Sequence, residues 1–168
     1  ALTGHLVLST FHASSAAAAL TRMLDAIGIN PLFSSAMHLV MAQRLVRRLD
    51  DDTKEEYEPE DELKAQLQTV IDTFPPNVER PDISNLKLYK ARPTEENPFG
   101  YKGQMAIREQ LLMTPGVQKL LRLPPNEITT EMLERKAIDD GMLTMLQDGV
   151  LKIINGETTI DEVYRVVG

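Results

Sequence analysis

The sequence contains no cysteine and no tryptophan, and aromatic residues make up only 5% of it. Without thiols there can be no disulfides and no thiolate metal site, and the absence fits a reducing compartment. With so few rings, a core must be built from Leu, Val, Ile, Met and Ala. No apolar run approaches the roughly 20 residues needed to span a membrane, and no signal-peptide pattern is present. Positive charge is the minority: 18 Lys and Arg stand against 25 Asp and Glu, a formal net charge of −7. That argues against general nucleic-acid binding, which needs a basic field. The sequence also holds no G-x-x-x-x-G-K-[ST] phosphate loop and no nucleophile elbow, so no complete catalytic constellation is visible.

What is present supports a packed core. The chain is 42% hydrophobic and 26% charged over 168 residues, enough for one ordinary domain or two small ones. It begins with Ala rather than Met, which reads as a portion of a longer chain. Residues 5–11, HLVLSTF, form a continuous apolar run of the kind that becomes a strand buried on both faces. Ser14 or Ser15 can then cap a helix with Leu20, Met23, Leu24 and Ile27 on one stripe, stopped by Gly28. A second helix is predicted over residues 32–49, which would place Arg44, Arg47 and Arg48 on one face. Residues 50–62 are an acidic connector. An amphipathic helix follows, with Leu63, Leu67, Val70, Ile71 and Phe74 inward, ended by Pro75 and Pro76.

Short strands are predicted in NLKLYKA and QMAIREQLLM, with a turn at NPFGYKG between them. The last third is helical. Thr114-Pro115 starts one helix, ITTEMLERKAIDDG forms another ending at Gly141, and MLTMLQDGVLKIINGE a third with Gly149 as a weak point. Thr159 with Glu162 three residues on forms a capping box before the last helix.

Two histidines bracket the apolar run. His12, just past its carboxyl end with Ser9 and Thr10 before it, sits where open α/β sheets bind ligands and helix amino termini favour anions. Position alone also allows a histidine simply tied to a neighbouring loop. The arginine cluster could clamp phosphate or a neighbouring acidic surface, or merely complement a helix carboxyl end. The Asp triplet at 50–52 lacks the later ligands of a calcium loop, and no carboxylate stands at metal-binding spacing from His5 or His12.

Four stretches together resemble one family. GHLVLSTFHASSAAAALTRMLDAIGI resembles the His box of the secretion ATPase superfamily and the helix that follows it, and MAQRLVRRL resembles the next helix of the same family. GYKGQMAIREQLL is similar to the family's G-Y-K-G-R-x-G-I-x-E-x-L segment. GMLTMLQDGVLKIINGETTIDEVYRVV is similar to its carboxyl terminus. The order is also the family's. The nearest branch is the type IV pilus assembly and type II secretion (E-type) ATPases.

The resemblance implies an α/β protein: the carboxyl-terminal part of a RecA-like P-loop ATPase domain, then a mostly helical subdomain with a short β segment. It implies a division into residues 1–49 of the ATPase core, 50–113 with an acidic insert and β segment, and 114–168 as the helical subdomain. The Walker A and B motifs would lie upstream. The intact protein would use ATP and magnesium as a homo-hexamer, cytoplasmic and peripheral to the inner membrane. It would work with a platform protein of a pilus or secretion machine, without nucleic acid or membrane insertion.

By the same resemblance His12 senses the γ-phosphate, His5 is its companion in the box, and Thr10, Gln43 and Arg44 lie near the nucleotide. Departures are visible too. Many relatives carry four zinc-binding cysteines at the places of Asp50, Thr53, Pro93 and Glu96, so no zinc is expected here, and packing of the 60–74 helix could replace it. Gln104 stands where Arg is usual, and Ala13, Ser14 and Ser15 replace T-N-D. A reading from another class remains: a non-catalytic module that docks on such a motor or on its platform protein.

Overall fold

Local chemistry starts and stops the first helix. Ser15 is extended, and its Oγ accepts from Ala18 N at 3.1 Å. At the other end Gly28 adopts a φ of 75° and its N–H reaches Leu24 O at 2.8 Å. Between them lies α1, Ala16–Ile27. The computed structural model describes residues 4–28 and 30–167. They form a mixed α/β protein of short helices and two small antiparallel sheets, divided into two compact units.

The first unit comprises the chain up to Ala42 together with Glu109–Met142. Here α1 packs on α5, Thr130–Asp139, through small residues: Ala16, Ala17, Ala19, Leu20 and Leu24 are buried with Leu133 and Ala137. The predicted stripe is therefore shifted, and Ile27 is exposed. Alanines permit close helix approach, which draws the buried face toward the amino end. Thr21 and Thr130 hydroxyls meet across the two helices at 3.0 Å. A short α2, Pro31–Ala36, is capped by Asn30. The six-residue α4, Pro115–Leu120, is capped by Thr114, and α5 by Thr129. Gly141 follows α5 at a φ of 106°, as the sequence indicates.

The second unit comprises Gln43–Arg108 and the chain from Leu143 on. Strands β2, Glu55–Tyr57, and β3, Leu88–Lys90, pair antiparallel with Glu55 opposite Lys90 and Tyr57 opposite Leu88. Helix α3, Asp61–Asp72, buries Leu67 and Ile71 and packs on α6, Met145–Ile154. In turn α6 packs on α7, Ile160–Val167. A full capping box, Thr144 with Gln147, opens α6. Gly149 is no weak point: a Cβ there would lie 2.6 Å from Val163 Cγ1, so glycine is what lets α6 and α7 meet.

Strands β1, Leu39–Leu49, and β4, Tyr101–Leu112, pair with each other, and the unit boundary falls within both. Met113 N donates to His38 O at 3.0 Å in the first unit, and Asp50 N to Gly100 O at 3.2 Å in the second.

Two expectations fail. The helix over 32–49 does not exist: α2 ends at Ala36, Met37 turns extended, and residues 39–49 are β1. Its Leu, Met, Ala, Gln and Arg are good helix formers, but pairing with β4 and the burial of Val40, Val46 and Leu49 override that weak preference. Residues 5–11 form no strand. Leu6 is 85%, Val7 63% and Leu8 87% exposed. A strand needs a ladder partner, and among the described residues none lies beside this run.

Candidate functional site

The site of interest in the first unit is the loop that carries His12. The His12 side chain is exposed. Its carbonyl oxygen accepts from Arg22 Nη1 at 2.6 Å, and the same guanidinium lies 5.7 Å from the Phe11 ring centroid. Past the loop, Ser15 caps α1 by its Oγ. One residue further, Ala16 N donates to Glu109 Oε1 at 2.6 Å, and Glu109 is only 4% exposed. The first turn of α1 holds no acidic residue of its own, so the carboxylate from β4 supplies the negative charge that a helix amino end favours. His5 and Thr10 are exposed on the extended segment before the loop. Sequence reasoning missed Arg22 and Glu109 here. Glu109 is 93 residues from Ala16, and the only signal that could have marked it is the glutamate of the G-Y-K-G segment's pattern.

Gln43 and Arg44 lie in the second unit on β1; Gln43 is exposed and Arg44 is half-buried, its Nη1 donating to Gln43 O at 3.3 Å. The arginines do not share a face. On a strand alternate residues point to opposite sides, so Arg47 is turned away from Arg44 and Arg48. Arg48 pairs with Asp51 at 2.8 Å. Arg47 pairs with Glu162 of α7 at 2.6 Å and lies 4.2 Å over the Tyr101 ring.

Glu162 is the densest electrostatic point of the second unit. It is 1% exposed, and its two oxygens accept from Arg47 N, Arg47 Nη2, Arg165 Nε and Arg165 Nη2. Burial pushes its carboxyl up, but the bonds from Arg165 and Arg47 more than offset that and bring its pKa down to about 2. Both guanidiniums are raised by their bonds to it. Thr158 Oγ1 donates to Arg47 O at 2.8 Å, and the Tyr101 hydroxyl meets Thr159 Oγ1 at 2.9 Å. The anticipated capping box is half made. Glu162 N reaches Thr159 Oγ1 at 3.4 Å, while the Glu162 carboxylate goes to the arginines.

The turns near residues 50 and 97 are joined by polar side chains. Asp50 Oδ2 accepts from Asn97 Nδ2 at 3.0 Å, and the same amide reaches Tyr101 O at 3.1 Å. The Asn97 amide holds the Asp50 carboxyl below its ordinary range, with help from Asp52 N. Gly100 sits at a φ of 68°, where a Cβ would come within 2.6 Å of Arg92 N. This link joins the turns, whereas α3 packs elsewhere, on α6. Among the described residues no group of three or more His, Cys, Asp or Glu is placed to hold a metal ion. No helix among them is long and apolar enough to cross a membrane.

The family model for "Type II/IV secretion system protein" matches residues 1–165. The chain is 40% identical over 166 residues to the type II secretion system protein E of Xanthomonas campestris pv. campestris, covering 99% of this chain and 27% of that protein. It is 38% identical over 167 residues to the type II secretion system ATPase E of Vibrio cholerae, covering 98% of this chain and 30% of that protein. To the type IV pilus assembly ATPase PilB of Thermus thermophilus it is 34% identical over 165 residues, covering 97% of this chain and 17% of that protein. The chain thus spans less than a third of the length of each of these relatives.

Proposed function

The chain belongs to the type II/IV secretion system protein family, and from that premise we propose that it is the carboxyl-terminal portion of a hexameric ATPase powering type IV pilus assembly or type II secretion. The observation that carries the proposal is the match over nearly the whole chain to relatives named for both machines. In this reading residues 1–49 belong to the RecA-like ATPase core, residues 50–113 carry the acidic insert and β segment, and residues 114–168 form the helical carboxyl-terminal subdomain. The partners are five further copies of the protein and an inner-membrane platform protein, reached from the cytoplasm.

The substrate is ATP, and magnesium when bound screens the phosphate charge. Among the described residues no group of three or more His, Cys, Asp or Glu is placed to hold a metal ion, and in this reading the magnesium ligands belong to the Walker motifs of the intact protein. What this chain offers is two exposed hydrogen-bond donors near the amino end of α1, the His12 imidazole and the Thr10 hydroxyl. His12 binds the terminal phosphate and registers the loss of its charge on hydrolysis. His5 is its companion in the same segment. Gln43 and Arg44, a polar amide and a fixed positive charge on β1, belong to the nucleotide surroundings.

The test is steady-state ATP turnover by the intact protein together with its mass in solution. Turnover with a six-subunit mass is expected. A well-folded intact protein that neither binds nor hydrolyses ATP would contradict the proposal and leave a docking module.

A further inference from the structure

We propose that Glu109 is a positioning residue for ATP hydrolysis, holding the His12 loop in place by anchoring the amino end of α1; the inference rests on the role given to His12 above. The geometry is compact. His12 is followed by three residues and then by Ala16, whose N–H points at Glu109 Oε1 at 2.6 Å. A buried carboxylate is costly unless its lone pairs are met, so its location at the start of a helix without acidic residues of its own is informative. On the other side, Arg22 one and a half turns into α1 holds His12 O at 2.6 Å. The loop is therefore tied at both ends: forward by Arg22 to its own helix, and through Ala16 by Glu109 to strand β4. Freeing Ala16 would let the start of α1 fray, and with it the exposed imidazole would lose its fixed position. Small displacements of a group that contacts the reacting atoms cost rate out of proportion to their size.

The test uses the intact protein and four variants: Glu109→Ala, Glu109→Gln, His12→Ala, and the Glu109→Ala, His12→Ala double. Amide exchange over residues 12–18 reports the anchor, and kcat and KM for ATP report its use. Glu109→Ala is expected to speed exchange in that segment and lower kcat about tenfold while KM stays within about twofold. Glu109→Gln keeps an acceptor oxygen and is expected to recover most of that loss, which also serves if the alanine variant folds poorly. In the His12→Ala background, Glu109→Ala is expected to add less than about a twofold further loss.

Faster exchange with unchanged kcat would overturn the inference, as would an equal loss of kcat whether or not His12 is present. Parental turnover in His12→Ala alone would instead bring down the role of His12. In that case the exchange result would still report whether Glu109 anchors α1.

Discussion

Each unit buries one glutamate, and the two meet their charge differently. In the first unit Glu109 reaches from a strand to a backbone N–H at the start of a helix. In the second Glu162 reaches from a helix to a strand, accepting Arg47 N and bonds from two guanidiniums. The first arrangement includes the partial charge of a helix end, which a neutral acceptor oxygen can also meet. The second depends on full ionic charge, so it fails when the carboxylate is neutralised. The lesson is that the same residue type at similar burial can be tolerant or intolerant of losing its charge, depending on what faces it.

The largest expected effect follows from that difference. Glu162→Gln should lower the stability of the second unit by about 3 kcal/mol, while Glu109→Gln costs the first unit about 1 kcal/mol. All four tyrosines lie in the second unit, so urea denaturation followed by tyrosine fluorescence reads the first of these. Amide exchange in α1 reads the second. Equal costs would erase the contrast.

Acid should weaken the second unit through the same carboxylate. A carboxyl held at about 2 when folded and in the ordinary range when unfolded contributes stability that is fully present above that ordinary range. The contribution is lost as pH falls from about 4.5 toward 2. Tyrosine-detected stability should therefore fall across that window in the parent, and the fall should be much shallower in Glu162→Gln.

Next in size is Gly149→Ala, expected to cost about 1–3 kcal/mol because the new methyl meets Val163. Val163→Ala added to it should return part of the loss by the same fluorescence measurement. Asp50→Ala should cost about 1–2 kcal/mol by removing the link between the turns at 50–54 and 94–100. Asn97→Ala combined with it should cost little more than either alone. The smallest effect is expected at Ser15→Ala, about 1 kcal/mol, seen as faster exchange in α1.

The sequence made legible what local chemistry decides. Ser14 or Ser15 and Thr114 announce helix starts, and Gly28 and Gly141 announce stops, because a cap and a positive φ involve only a few neighbouring residues. The family, too, could be read from short motifs. What could not be read was pairing across distance. MAQRLVRRL has helix-forming residues but becomes β1, because its ladder partner β4 begins only at Tyr101, far along the chain. The apolar run at 5–11 carried a strand signal without a partner among the described residues. The same blindness hid the reach of Glu109 to Ala16 and of Glu162 to Arg47, 115 residues apart. Both glutamates were visible in motifs, but neither bond was.

The most direct measurement is ATP turnover by the intact protein beside its His12→Ala variant, with nucleotide affinity and oligomeric mass measured on the same samples. A fall in kcat of about a hundredfold is expected, with affinity changed less than about threefold and assembly intact. Parental turnover in the variant would contradict it and leave His12 as an exposed residue of a loop.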